Sequence, residues 1–282
     1  MPSLLAHDRI TAPDATPERW MLVLHGIYGA GRNWASVARR LVRARPEWGA
    51  MLVDLRLHGD SRGFAPPHTL EACADDVKRL VAETGVNAEA ILGHSFGGKV
   101  ALVYVRDAEE TRGEAGPVAP PRSVWVVDST PSARAPDGSA WTMLEVLRRA
   151  PGPFADRAEG IAAVESAGFP NPVAQWMATN LVPASVGDEL VWRLDPDDME
   201  ALLRDFFETD AWSVVESPPA DTRVHVIKAR ESRVLDAEAV ARVREAARTT
   251  EGQVVVHEVK GGHWVNADDP DGLHELLLEH LP

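Results

Sequence analysis

The sequence predicts an α/β fold in which a mostly parallel sheet is covered by helices on both faces. Short, nearly continuous apolar runs alternate along the chain with longer segments of helical periodicity, and turn-forming residues bound each apolar run. The 282 residues, 45% of them hydrophobic, are enough for one large core or for one core with an inserted subdomain.

The same patterns place the individual elements. Before residue 130 they predict strands at 20–24, 50–53, 88–92 and 124–127, and helices at about 33–41, 69–83 and 97–106. After residue 220 they predict strands at 223–227 and 254–256, and helices at 236–248 and 270–281. This alternation is typical of a doubly wound sheet.

Between Pro131 and Pro219 the alternation stops, and helical patterns broken by prolines replace it. We therefore expect a helical insertion at 137–216, between a first core segment at 1–136 and a second at 217–282. Eight aromatic residues of the insertion are candidates either to pack it onto the core or to line a pocket: Trp141, Phe154, Phe169, Trp176, Trp192, Phe206, Phe207 and Trp212.

Charge and cysteine content indicate which partners the protein can bind and in which cellular compartment we expect it. A formal net charge of −14 disfavours nucleic-acid binding, which requires clustered Lys and Arg. Cys73 is the single cysteine, so a disulfide within the chain and a cysteine-based zinc site are excluded, and its helical apolar neighbours predict a buried thiol. Neither a signal peptide nor an apolar run of membrane-spanning length is visible, so we expect a cytoplasmic protein that acts on a small molecule.

A Gly-x-Ser-x-Gly pentapeptide at 93–97 carries the strongest chemical signal. It directly follows a predicted strand and opens a predicted helix, which is the setting of a nucleophile on a sharp strand-to-helix turn. Such a turn holds the serine in a sparsely populated backbone conformation, at a cost of about 1–3 kcal/mol. The flanking Gly93 and Gly97 allow strand and helix to approach closely. Ser95 is therefore the predicted nucleophile.

A second glycine-containing loop, at 25–29, follows an earlier predicted strand. Acyl transfer needs two N–H donors directed at the oxygen that becomes negative in the tetrahedral intermediate. In this architecture the residue after the nucleophile supplies one donor, here Phe96, and the early loop supplies the other, which indicates Ile27. His25 is interpreted as a structural, hydrogen-bonded histidine.

His263 is the predicted base. It lies in a Gly-Gly-His-Trp loop after the last predicted strand, where the glycines allow the loop to deliver a side chain over the nucleophile. Among the ten histidines of the chain, it alone combines a loop position, a preceding strand and a place after Ser95.

Together these motifs resemble the α/β-hydrolase superfamily and, within it, the ybfF-like esterases and acyl thioesterases. The residues that carry the resemblance are 24–34, 54–61, 93–99 and 262–265. The resemblance implies an α/β-hydrolase fold, with a mostly parallel doubly wound sheet and an inserted helical cap. It also implies action on small acyl esters and extends to acyl-CoA thioesters, for which a local Arg cluster such as Arg148-Arg149 would be needed. Leu57 departs from the Asn often found in the family.

The resemblance also bears on the acid that orients His263. The usual acid follows the penultimate predicted strand, where Ser232 stands in the place of an Asp. In the ybfF-like group the acid follows the preceding strand, which implies Asp128 here, with Ser232 as a hydroxyl beside the Asp128–His263 pair. Because adjacent parallel strands end at the same edge of a sheet, Glu231 and Asp236 remain alternatives.

These residues predict hydrolysis of a carboxylic ester or thioester through an acyl-enzyme, with no metal and no organic cofactor. Carbon–carbon bond hydrolysis and cofactor-free perhydrolysis use the same triad and remain alternatives. A ligand-binding receptor without turnover is an alternative from a different class. The presence of the serine, the histidine and the oxyanion loop argues against it.

Overall fold

The computed structural model describes residues 4–110 and 119–282. The rest of the predicted first core segment, 1–3 and 111–118, lies outside the described residues. The described strands are β1 (His7–Ile10), β2 (Arg19–Leu24), β3 (Trp48–Val53), β4 (Ala88–His94), β5 (Ser123–Val127), β6 (Leu181–Pro183), β7 (Leu190–Trp192), β8 (Arg223–Ala229) and β9 (Val254–Val259).

Seven of these strands form one sheet in the order β1-β3-β2-β4-β5-β8-β9. Every neighbouring pair is parallel except β1 with β3, which is antiparallel. The central strands are buried along almost their whole length, as expected for a parallel sheet covered on both faces. The predicted mostly parallel, doubly wound sheet is confirmed.

The described helices are α1 (Ala35–Ala44), α2 (Leu70–Thr84), α3 (Phe96–Glu110), α4 (Gly138–Arg149), α5 (Arg157–Ser166), α6 (Asn171–Met177), α7 (Pro196–Glu208), α8 (Trp212–Glu216), α9 (Ala237–Thr249), α10 (Val265–Asp268) and α11 (Pro270–His280). Short 3₁₀ turns occupy Gly31–Trp34 and Ala178–Asn180. Within the described residues, no helix combines the length and the apolarity needed to cross a bilayer.

Side-chain caps fix where several helices begin. Thr69 accepts the Ala72 N–H at 3.1 Å at the start of α2, and Asp236 accepts the Ala239 N–H at 2.8 Å at the start of α9. Asn33, the residue predicted to begin the first helix, instead accepts the Ala30 N–H at 2.8 Å. The chain therefore makes a 3₁₀ turn there before α1 begins.

Two hydrophobic clusters cover the two faces of the sheet. On one face, α1 and α11 pack against the strands with Trp34 and Trp48 between them. On the other face lie α2, α3 and α9, together with residues of the segment between β5 and β8. Cys73 is fully buried in this second cluster, as predicted.

The segment between β5 and β8 contains α4 to α8, in agreement with its helical pattern. It also contains β6 and β7, a short antiparallel pair that the sequence analysis did not predict. We call the elements from α4 to α8 the cap. Several of its aromatic residues pack it onto the core: Phe206, Phe207 and Trp212 are buried, and the Trp212 indole N–H donates to Ser132 Oγ at 3.0 Å.

Candidate active site

Ser95 occupies the turn between β4 and α3. Its φ of +52° is a left-handed conformation, which is unfavourable for a residue with a side chain, and its N–H donates to the Val127 carbonyl at 3.0 Å. A Cβ on Gly93 would lie 2.0 Å from the Gly97 carbonyl oxygen, and one on Gly97 would lie 2.5 Å from the His25 carbonyl oxygen. Only glycine fits these two positions, so the pentapeptide forms the tight turn that its sequence predicts.

Asp128 follows β5, the strand beside β4, and it is fully buried. Its Oδ2 lies 2.7 Å from His263 Nδ1, and its Oδ1 accepts the Ala229 N–H at 3.3 Å. A carboxylate at Nδ1 requires the proton on that nitrogen and leaves Nε2 as the site that can take a further proton. The structure thus brings together the carboxylate and the imidazole that the sequence analysis paired.

Among the described hydrogen bonds, none joins Ser232 or the two other candidate acids, Glu231 and Asp236, to the Asp128–His263 pair. Ser232 Oγ accepts the Val234 N–H at 3.2 Å within its own turn, and the N–H beside the Asp128 carboxylate belongs to Ala229. The hydrogen bonds of the described residues thus place the Ala229 N–H, and not the Ser232 hydroxyl, at the Asp128 carboxylate. Glu231 is exposed, and Asp236 caps α9.

The two predicted oxyanion donors lie at the same edge of the sheet. Phe96 is the first residue of α3, and the first N–H groups of a helix have no partner within it. Ile27 is the second residue of a turn closed by the Gly29 N–H and the Gly26 carbonyl at 3.0 Å. The hydrogen bond of such a turn does not use the N–H of its second residue, which leaves the Ile27 N–H available to a ligand.

Two buried histidines hold the loop that carries Ile27. His25 donates from Nδ1 to the Gly26 carbonyl at 2.7 Å and accepts the Leu55 N–H at Nε2 at 3.0 Å. His58 accepts the Tyr28 N–H at Nε2 at 3.1 Å, which fixes Tyr28 at a φ of +63°. Burial lowers the pKa of His25 to about 4 and that of His58 to about 3, so both rings are neutral at pH 7 and able to accept.

His94 holds the loop of the predicted base. Its Nε2 donates to the His263 carbonyl at 2.8 Å, and the two ring centroids are 4.6 Å apart. Burial lowers the pKa of His94 to about 3, so it is a neutral donor. Sequence analysis gave neither His58 nor His94 a role, because their partners are far away in the chain. Their one sequence signal is a place beside a glycine within a motif.

Ser95, His263 and Ile27 line one cavity of about 270 Å³ between the sheet edge and the cap. Of the eight aromatic candidates in the cap, Phe169 and Trp176 line it. Of Arg148 and Arg149, the candidate cluster for a CoA leaving group, neither lines the cavity, and Arg148 pairs with Asp197 at 3.2 Å and with Glu200. Over residues 4–110 and 119–282, no group of three or more His, Cys, Asp and Glu has the arrangement of a metal site.

Comparison with known proteins adds to this geometry. A model of the alpha/beta hydrolase family matches residues 21–276. The sn-1-specific diacylglycerol lipase ABHD11 of Mus musculus is 25% identical over 270 residues, 93% of this chain and 80% of that protein. A marine microorganism esterase superposes with a TM-score of 0.79 at 20% identity, over 99% of this chain and 100% of that chain. The thioesterase domain from the curacin biosynthetic pathway gives a TM-score of 0.69 at 16% identity, over 97% and 95% of the two chains.

Proposed function

Since the chain belongs to the alpha/beta hydrolase family, we propose that it is a serine hydrolase that cleaves carboxylic esters or thioesters of small acyl groups. Ser95 is the nucleophile, His263 the base and Asp128 the acid that orients the base. The observation that carries this proposal is the 2.7 Å contact between Asp128 Oδ2 and His263 Nδ1, beside a cavity that His263 shares with Ser95.

Each group has one task in the proposed reaction. Ser95 Oγ bonds to the carbonyl carbon while its proton passes to His263 Nε2. The N–H groups of Ile27 and Phe96 bind the oxygen that becomes negative. The bond to the leaving oxygen or sulfur then breaks, and the leaving atom takes the proton from His263. Water attacks the acyl-enzyme by the same route, which releases a carboxylic acid and restores the Ser95 hydroxyl.

The names of the relatives support ester chemistry in general, since they include a lipase, an esterase and a thioesterase. Arg148 is paired with acidic residues, and neither Arg148 nor Arg149 lines the cavity, so this Arg pair gives no support for a CoA leaving group. Carbon–carbon hydrolysis and perhydrolysis use the same groups, and no contact in the cavity favours them. The cytoplasmic location and the small-molecule substrate remain predictions.

A serine-reactive fluorophosphonate tests the proposal. The wild-type protein should form one covalent adduct, which mass spectrometry should locate on Ser95, and should hydrolyse p-nitrophenyl acetate. Ser95→Ala should remain folded, escape labelling and lose activity by more than about 10³-fold, because no neighbouring group replaces the hydroxyl.

Ser232→Ala is the matched control, and it should be labelled and active. An adduct on another residue would overturn the assignment of Ser95. A wild-type protein that is neither labelled nor active would instead support the receptor alternative.

A further inference from the structure

Much of the cavity wall is apolar and comes from the cap. It includes Met143 of α4, Phe169 and Pro170 before α6, and Val173 and Trp176 on α6. Because Val173 and Trp176 are three residues apart on a helix, they lie on the same face of α6. One short helix therefore supplies a continuous part of the wall.

Trp176 meets the core at Trp264. The two rings pack edge to face, with centroids 4.5 Å apart. Trp264 follows His263 in the chain, and its ring lies 5.9 Å from the His263 ring. Since His263 returns its proton to the leaving group in the proposed reaction, Trp264 lies beside the group that protonates the leaving atom, and Trp176 packs against Trp264.

The described lining of the cavity offers no Lys or Arg side chain to a negatively charged substrate group. Of the described residues that line it, none is Lys, Arg, Asp or Glu. His25 and His94 also line it, and because burial lowers the pKa of these side chains to about 4 and about 3, they are neutral at pH 7. A carboxylate or phosphate bound here would lose its hydration without gaining a cation, which is strongly unfavourable. The net charge of −14 opposes anions further.

The cavity is also small. Its volume of about 270 Å³ lies just below the range of about 300–1,000 Å³ that is typical of pockets for drug-sized ligands. We therefore expect it to take an ester of a short alcohol, such as pentyl acetate, more readily than an ester of a long one.

We propose that the substrates of this site are uncharged esters of small size, and that Trp176 limits the length of their alcohol portion. This inference rests on the proposed ester hydrolysis at Ser95 and narrows its substrate class. Trp176 acts as a specificity-determining residue, because its ring lines the cavity and packs against Trp264, the neighbour of the base that protonates the leaving group.

A series of n-alkyl acetates tests the limit on length, with acid release as the measurement. For the wild-type enzyme, kcat/KM should rise from ethyl to pentyl acetate and fall by at least about tenfold at octyl acetate. In Trp176→Ala, octyl acetate should be hydrolysed with at least the kcat/KM of pentyl acetate, because the alkyl chain enters the space of the indole. Gln175→Ala, the exposed neighbour on α6, should keep the wild-type profile.

A matched pair of esters tests the exclusion of charge. Pentyl acetate and 5-acetoxypentanoate have alcohol portions with the same number of carbons, but the second ends in a carboxylate. The wild-type enzyme should prefer pentyl acetate by at least about 100-fold in kcat/KM. Val173→Arg places a cation in the wall and should lower this preference at least tenfold, whereas Gln175→Arg, with the same charge on an exposed position of α6, should leave it unchanged.

Binding separates this inference from the proposed function. Calorimetric titration of the Ser95→Ala protein with the same two esters measures the preference without turnover. If the wild-type enzyme hydrolyses neither ester but Ser95→Ala binds pentyl acetate alone, the proposed function fails, whereas the preference of the cavity for uncharged esters stands. Equal or better binding of 5-acetoxypentanoate, or an unchanged length profile in Trp176→Ala, would overturn the inference and leave the hydrolase proposal standing.

Discussion

Four residues with side chains adopt left-handed backbone conformations beside the candidate site: Tyr28, Leu57, Ser95 and Asp128, with φ between +43° and +66°. Each costs on the order of 1–3 kcal/mol, so the surrounding structure must hold them in place. The Ser95 N–H donates to the Val127 carbonyl at 3.0 Å, and the Asp128 N–H donates to the Ile227 carbonyl at 2.8 Å. Neighbouring strands thus stabilise the two turns that present the proposed nucleophile and acid.

The contact of the Asp128 carboxylate with His263 Nδ1 leads to a prediction for a variant that changes a single atom of the carboxylate. Asp128→Asn keeps the size of the side chain, but its amide can donate to His263 Nδ1 and so favours the wrong tautomer of the imidazole. We expect kcat for p-nitrophenyl acetate to fall by roughly 10⁴-fold, the loss seen when a triad Asp becomes Asn. Circular dichroism should show an intact fold.

The other two carboxylates provide the controls. Glu231→Gln should retain wild-type kcat, since Glu231 is exposed. Asp236→Asn should also retain it, with at most about 1 kcal/mol lost from the cap of α9. A kcat for Glu231→Gln or Asp236→Asn as low as that of Asp128→Asn would contradict the assignment of the acid.

At the residue scale, a local motif was enough to identify some residues of the candidate site. Residues whose role depends on a contact far away in the chain were missed. Ser95 and His263 stand in short glycine motifs after strands, and those motifs were sufficient to single them out. Asp128 needed a family resemblance, because the order of strands in the sheet decides which carboxylate meets the histidine. His58 and His94 act on residues 30 and 169 positions away, so no local pattern marks them.

At the scale of elements, one buried lysine joins the helix of the proposed nucleophile to the cap. Lys99 of α3 is fully buried, and its Nζ donates to the carbonyls of Ser132, Phe206 and Thr209 at 2.9, 2.6 and 3.1 Å. The latter two acceptors lie at the end of α7, where a helix leaves carbonyls without partners and presents a partial negative charge. Burial lowers the pKa of Lys99 to about 7, but three donated bonds require the ammonium form.

Lys99→Met should separate the cap from α3 while keeping an apolar stem of similar length. Three carbonyls would lose their donor, and a hydrogen bond to a charged group contributes about 1.5–3 kcal/mol. We expect the free energy of unfolding to fall by about 3 kcal/mol, measured by urea denaturation at pH 6, where the lysine is charged.

Lys78→Met is the matched control on α2. Lys78 forms ion pairs with Asp75 and Asp107 near the surface, and such pairs contribute about 0–1 kcal/mol. If both lysine variants lose the same small amount of stability, the bonds from Lys99 do not hold the cap.

The elements that sequence reasoning found are those with continuous apolar runs or full helical periods. The missed strands are short or half-exposed: β1 lies at the edge of the sheet and has no buried residue, and β6 and β7 have three residues each. Their pairing depends on partners elsewhere in the chain, which local hydropathy does not encode. For the same reason the sequence did not distinguish Trp176, which lines the cavity, from Trp212, which packs the cap onto the core.

At the scale of the whole molecule, five buried histidines are kept neutral by the fold: His25, His58, His94, His225 and His257. Burial lowers the pKa of each to about 3 or 4, from an ordinary value of 6.5. His225 lies flat on Trp125, with centroids 4.0 Å apart, and its Nδ1 is 3.0 Å from His257 Nε2. The rings of His257 and His280 and the positive charge of Arg223 further oppose a proton on His225.

These histidines predict a stability that falls as the solution becomes acidic. Below about pH 6.5 the unfolded chain binds protons that the folded chain does not, so each group lowers the free energy of unfolding by up to about 1.4 kcal/mol per pH unit until its folded pKa is reached. Urea denaturation at pH 7.5, 6.0 and 5.0 should show this decline. His225→Phe removes one such group and should make the decline shallower, whereas His7→Gln, on the half-exposed β1, should not change it. An equally steep decline in His225→Phe would show that its neutral state in the fold does not contribute to the pH dependence.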